Sequence, residues 1–231
     1  MPNHEKPKTK NGKPVLRIAV PVVEANTNRA RSKYLRAARK GLWTELRLDY
    51  LEQPDLKRLF RSHPGPVIAT NRLAAEGGQW TGSEAERRAL LEGALDLELA
   101  ADPAWRRELY KRRGEAKIIL SWHDFSGTPD TDRLEDILQK MLAQEADIIK
   151  MVTMARLSED NLRLLSLIPR ARAAGREIIA FCMGAAGKWS RVVAPLMGSF
   201  LTFAPFTKKG ASAPGQLTVN EVKRLWDMLK R

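Results

Sequence analysis

The sequence has 231 residues, 43% hydrophobic and 29% charged, with a formal net charge of +13, a globular composition rather than a disordered one. No apolar run approaches the roughly 20 residues needed to cross a bilayer, the opening MPNHEKPKTKNGKP has no apolar stretch of the kind a secretory signal carries, and a lone Cys182 cannot form an internal disulfide, so a cytoplasmic chain with no membrane partner is expected. The charge admits nucleic-acid binding, but the Lys and Arg beyond the opening are spread over amphipathic segments such as RARSKYLRAARK and WRRELYKRRG with no interleaved aromatic motif, so a solvated basic surface and no nucleic-acid partner are expected.

Residues 1–14 read as a basic flexible tail, and residues 15–231 as one domain without an internal linker. Short runs rich in Val, Ile and Leu then alternate with longer segments of helical period, the rhythm of parallel strands joined by crossover helices. The expected strands are 15–22, 44–50, 66–70, 94–99, 117–122, 147–153, 177–183 and 199–204. Among the helices between them, DTDRLEDILQKMLAQE carries an apolar stripe of Leu134, Ile137, Leu138, Met141 and Leu142. SEDNLRLLSLIPRARAAG reads as one helix capped by Ser158 and closed by Gly175, and a last helix starts at a Thr218 cap. Eight strands alternating with helices predict an α/β fold, a single (β/α)8 TIM barrel.

In such barrels the active site lies at the carboxyl ends of the strands. Glu45 and Arg47 share one face of the second strand by the period-two rule, Arg72 follows the third, and His123 follows the fifth. Lys150 stands in the sixth, inside the β-branched run DIIKMVT. An ammonium unpaired in such a setting is costly and tends to shed its proton. A neutral buried amine is a nucleophile that can form an imine with a ketone. The iminium acidifies the neighbouring C–H, so a base must stand close by. His123 is the one histidine expected at the barrel mouth, and an imidazole, with an unperturbed pKa of about 6.5, suits proton transfer in both directions. His4, His63 and His123 are too far apart in sequence for metal-ligand spacing, so no metal and no cofactor are expected.

These residues sit within a wider pattern. ELRLD, TNRLAAEGGQW, DLEL, SWHDFSGTP, DIIKMV, MGAAGKWSR and ASAPGQLT follow one another in order from about residue 15. The chain thereby resembles the type I 3-dehydroquinate dehydratases, the Schiff-base enzymes of the shikimate pathway. The resemblance implies a lyase that converts 3-dehydroquinate to 3-dehydroshikimate and water by syn elimination. It makes Lys150 the imine lysine and His123 the residue that removes the C2 proton and then protonates the departing C1 hydroxyl. Glu76 becomes the carboxylate that steadies the histidine, and Arg191 the cation that holds the substrate carboxylate. Glu45, Arg47 and Arg72 become groups that bind the ring hydroxyls or order the site. Ser212 and Gln216 belong to a closing loop, with Gly210 and Gly215 as its flexible points, and Met183 becomes an apolar wall. The resemblance also implies a homodimer.

The sequence departs from the family at two places. Its N-terminal segment is short, where the family often has a hairpin that caps the bottom of the barrel, and it reads MVTMAR where a proline commonly stands near Ala155. The alternative class is another Schiff-base lyase or aldolase acting on a different keto acid.

Overall fold

A computed structural model describes residues 14–62, 64–83, 85–87, 96–98, 102–112, 114 and 116–230. The basic tail, His4, His63 and most of the ERRALLEGAL segment lie outside these residues.

The strands are β1 (Ile18–Val22), β2 (Trp43–Arg47), β3 (Val67–Thr70), β4 (Asp96–Glu98), β5 (Ile119–Asp124), β6 (Ile148–Met154), β7 (Glu177–Met183) and β8 (Thr202–Phe203). The helices are α1 (Thr27–Arg39), α2 (Leu56–Phe60), α3 (Pro103–Arg112), α4 (Thr131–Leu142), α5 (Glu159–Leu165), α6 (Leu167–Ala173), α7 (Ser190–Leu196) and α8 (Val219–Leu229). All the strand pairs are parallel, and the strands run in the order β7-β6-β5-β4-β3-β2-β1-β8. The first strand thus lies beside the last, as in a (β/α)8 barrel. No ladder joins β7 to β8 among the described residues; the seam is bridged instead by Phe200 N donating to Ile178 O at 2.7 Å and Ala180 N donating to Ser199 Oγ at 3.3 Å.

The alternation along β6 shows why a lysine is tolerated in an apolar run. Parallel strands in such folds are covered on both faces and read as continuous hydrophobic runs. Ile149 and Met151 pack outward with Leu134, Leu138 and Ile178 against the helices. Ile148 and Val152 point inward with Ile119, Ile179 and Phe181. Lys150, two residues from each, shares the inward face, and the register pairs it with Ser121 of β5. Because period two carries Ser121 to His123, the amine and the imidazole come from adjacent strands and face the same interior.

Several boundaries differ from expectation. Strand β5 extends to Asp124, so His123 lies within the strand rather than after it, and β8 is only two residues long. The helix expected over 158–175 is two helices broken at Ser166. Pro169 has no N–H to offer Leu165 O and its ring crowds that carbonyl, which ends α5. Ser158 does not cap it either. Asp160 Oδ2 accepts from the backbone N–H of Arg156 at 2.7 Å and Leu157 at 3.0 Å, and Ser158 Oγ accepts from Trp189 Nε1 at 3.2 Å. At the amino end of the barrel Arg17 stacks on Phe200 with 4.9 Å from its guanidinium carbon to the ring centre, and Trp43 meets the same ring edge-on at 5.4 Å.

Candidate active site

The inward residues at the carboxyl ends of the strands enclose a cavity of about 230 Å³. Lys150, His123, Glu76, Glu45, Arg47, Arg72, Arg191, Ser212, Gln216 and Met183 all line it. Residues scattered over 172 positions of sequence, from Glu45 to Gln216 inclusive, are thus brought to one space.

The floor is a polar network. Lys150 Nζ lies 3.8 Å from Glu45 Oε1, which also accepts a hydrogen bond from Thr70 Oγ1 at 3.1 Å. Arg47 donates through Nε and Nη2 to the two carboxylate oxygens of Asp49, at 2.8 and 2.6 Å, the bidentate fork that suits arginine best. Burial opposes the Arg47 charge, but the Asp49 hydrogen bonds and the charges of Glu45 and Asp49 outweigh it and raise the guanidinium above its ordinary value. Asp49 Oδ2 also accepts from Gln79 N at 3.0 Å, which fastens the Gly-Gly turn of the β3 loop to the end of β2. Gly78 fits there because a Cβ would lie 2.0 Å from Arg72 O.

Beside the floor, Glu76, His123 and Arg72 form a second polar group. Glu76 Oε2 is 3.8 Å from His123 Nδ1 and accepts from Arg72 Nη1 at 3.2 Å. Arg72 Nη1 also donates to Ser121 Oγ at 2.9 Å. Phe125 lies over the imidazole, with ring centres 6.1 Å apart and planes within 18°. Gly77, at φ 74°, passes so close beneath Phe125 that a Cβ would meet its ring at 2.5 Å.

The opposite wall holds a cation of another kind. Arg191, on the first turn of α7, is fully buried. Its Nη2 donates to Pro214 O at 3.2 Å, while among the described residues Nε and Nη1 meet no acceptor. Burial pushes this guanidinium down to about 10. A buried cation with two unused N–H edges is built to meet an anion.

The loop after β8 closes the site over Arg191. Gln216 Oε1 accepts from Ser212 N at 2.9 Å and Nε2 donates to Ser212 Oγ at 3.1 Å, so the two side chains pinch the loop into a compact turn. Gly184 N donates to Pro214 O at 3.3 Å. Gly215, at φ 77°, sits where a Cβ would lie 2.2 Å from Gly184 O. Its lack of a side chain therefore permits this close backbone approach.

The sequence reading did not single out Thr70, Asp49, Ser121, Phe125, Phe181 or Phe203 as part of the site. Alternation could have found two of them: Ser121 is two residues from His123, and Phe181 two residues from Met183. Nothing local distinguishes Asp49 from a solvated aspartate.

Comparisons with known proteins bear on this geometry. The family model described as type I 3-dehydroquinase matches residues 18–231. A 3-dehydroquinate dehydratase of Methanosarcina acetivorans is 40% identical over 214 residues, 84% of this chain and 88% of that protein. One from Methanocaldococcus jannaschii is 35% identical, covering 92% of this chain and 98% of its own. Among solved structures, the type I 3-dehydroquinate dehydratase of Clostridium difficile with covalently modified comenic acid superposes with a TM-score of 0.83 at 27% identity, over 95% of this chain and 93% of that one. The 3-dehydroquinate dehydratase of Aquifex aeolicus gives 0.76 at 30% identity, over 94% and 100%.

Proposed function

This chain belongs to the type I 3-dehydroquinase family and is a 3-dehydroquinate dehydratase, a hydro-lyase, and we propose that Lys150 is its nucleophile and His123 its proton carrier. The observation that carries the proposal is their placement: adjacent strands, one inward face, one cavity, with the anion-seeking Arg191 opposite.

On this reading the Lys150 amine adds to the C3 ketone of 3-dehydroquinate and, with one proton taken up, water leaves, giving a protonated imine that gives the proton back on final hydrolysis. The iminium draws electrons from C2, His123 takes the C2 proton, and an enamine forms. Collapse of the enamine expels the C1 hydroxyl, which the imidazolium protonates as it departs. The water released on imine formation is returned when the product iminium is hydrolysed to 3-dehydroshikimate and free Lys150, so one water is lost overall. A positioned acid–base group typically contributes about 10²- to 10⁴-fold.

Each remaining group has a task in this scheme. Arg191 takes the substrate carboxylate, and Glu45, Arg47, Arg72 and Gln216 meet the ring hydroxyls or hold those that do. Glu76 orients His123 through Nδ1 and so presents Nε2 to the substrate. Ser212 and Gln216 hold the loop shut, which excludes water from the iminium. Met183 supplies apolar wall. Residues 15–231 form the catalytic domain and residues 1–14 a solvated tail. The reading includes a homodimeric, cytoplasmic enzyme with a small-molecule substrate and no nucleic-acid partner. No helix of the described residues is long and apolar enough to cross a membrane.

The test is intact-mass analysis after incubation with 3-dehydroquinate and borohydride. The parent enzyme should gain a reduced adduct that maps to Lys150, and Lys150→Ala should gain none. An adduct at any other lysine would remove Lys150 from its role.

A further inference from the structure

The Arg191 side chain poses a problem of physical chemistry that its hydrogen bonds do not solve. It is fully buried, it reaches one backbone carbonyl, and no carboxylate is recorded against it among the described residues. Something must hold the charge in place before substrate arrives. The remaining contact is aromatic: the guanidinium carbon lies 4.4 Å from the centre of the Phe181 ring. Phe181 is itself buried and meets Phe203 with ring centres 5.9 Å apart at 61°, an edge-to-face pair. The Phe203 ring in turn lies 4.8 Å from Lys150 Nζ. Two rings on neighbouring walls of the cavity therefore lie between the anion-seeking cation and the amine, one ring against each.

We propose that Phe181 is a positioning residue for substrate recognition, standing in for a counter-ion so that Arg191 stays charged and flat while Nε and Nη1 remain open to the substrate carboxylate. The inference rests on the reading of Arg191 given above. A carboxylate in place of Phe181 would hold the cation more strongly, but it would accept those same N–H groups and compete with the ligand. The face of a benzene ring attracts a cation through its quadrupole without consuming a hydrogen-bond donor. With Nη2 fixed to Pro214 O and the plane fixed by the ring, the guanidinium retains little freedom. The free edges are presented in advance of binding, which lowers the ordering cost that binding would otherwise carry.

The experiment is a double-mutant cycle with Phe181→Leu and Arg191→Ala, supported by Phe181→Tyr. For 3-dehydroquinate, Phe181→Leu should raise KM about tenfold, the scale of a desolvated cation–π contact, with kcat within about twofold. Phe181→Tyr, which keeps the ring face, should restore KM. In the Arg191→Ala background Phe181→Leu should add nothing. Borohydride trapping of cyclohexanone, a ketone with no carboxylate, should label Lys150 to the same extent with Phe or Leu at position 181. If the leucine effect persists in the alanine background, or appears equally with cyclohexanone, Phe181 acts by pocket shape and the proposal falls. If Arg191→Ala leaves KM for 3-dehydroquinate unchanged, the carboxylate reading of Arg191 fails first and takes this one with it. Phe181→Met, close in volume but without a ring, makes the same comparison should the leucine variant not fold.

Discussion

Two of the buried arginines that line the cavity, Arg47 and Arg191, show how differently the same side chain can be held. Arg47 is paired in bidentate fashion with Asp49, whereas Arg191 has a ring and a carbonyl. Removing one partner of a buried pair leaves the other charge stranded, which typically costs about 3–5 kcal/mol. Asp49→Ala should therefore lower the unfolding free energy by that scale, read as a lower denaturant midpoint at unchanged slope, although Asp49 does no chemistry. A loss well under about 1 kcal/mol would mean that water reaches Arg47 and that the pair is not the fastening it resembles. Asp49 is also the clearest case of a site residue that the sequence did not reveal. Its partners are Arg47, two residues away, and Gln79, thirty residues away across a turn of the β3 loop. Lys150 was legible for the opposite reason, because a charge in a β-branched run contradicts its surroundings and so marks itself.

At the scale of elements, the ends of helices decide where the chain turns. Thr218 and Glu221 form a reciprocal capping box at the start of α8: Thr218 N and Oγ1 donate to Glu221 Oε2 at 2.7 and 2.8 Å, and Glu221 N donates to Thr218 Oγ1 at 3.4 Å. Lys208 Nζ donates to the same carboxylate oxygen at 2.7 Å. The Lys208 hydrogen bond first, and the Thr218 backbone next, hold the Glu221 carboxyl down at about 2. A carboxyl depressed in the folded state stabilises above its unfolded value and loses that contribution as pH falls through the folded one. Acid scans should thus show part of the loss in Tm between pH 4.5 and about 2 disappearing in Glu221→Gln. Thr218→Ala should cost about 1 kcal/mol at neutral pH. This cap was legible because Thr, Val, Asn and Glu stand in order before an apolar run. The Ser158 cap was not. A serine stands in the same position there, but its hydroxyl makes no cap hydrogen bond and accepts from Trp189 Nε1 instead, while Asp160 binds the N–H groups of Arg156 and Leu157 just upstream.

For the whole molecule, the number and order of strands followed from sequence, because burial on both faces imposes long apolar runs that interruptions punctuate. The seam did not. Where β7 and β8 fail to form a ladder, Ser199 Oγ accepts from Ala180 N and donates to Leu201 O at 3.3 Å each. One hydroxyl there does work that a strand pair does elsewhere. Ser199→Ala would strand a buried N–H, a loss of about 1–3 kcal/mol. Amide hydrogen exchange at Ala180 should accelerate more than exchange in β6, which is paired on both sides. Equal acceleration in the two strands would mean that the barrel opens as one unit and that the seam is no weak point.

For inhibitor chemistry, the contact of Gly215 with Gly184 O is a boundary condition. Two glycine backbones this close cannot part by rotating a side chain, so widening the cavity of about 230 Å³ on the side of the Ser212–Gln216 loop means moving main chain. Ligands that grow towards this loop must first displace its backbone. Small acids that carry an electrophile and gain strength from a bond to an amine are the shapes such a chamber rewards.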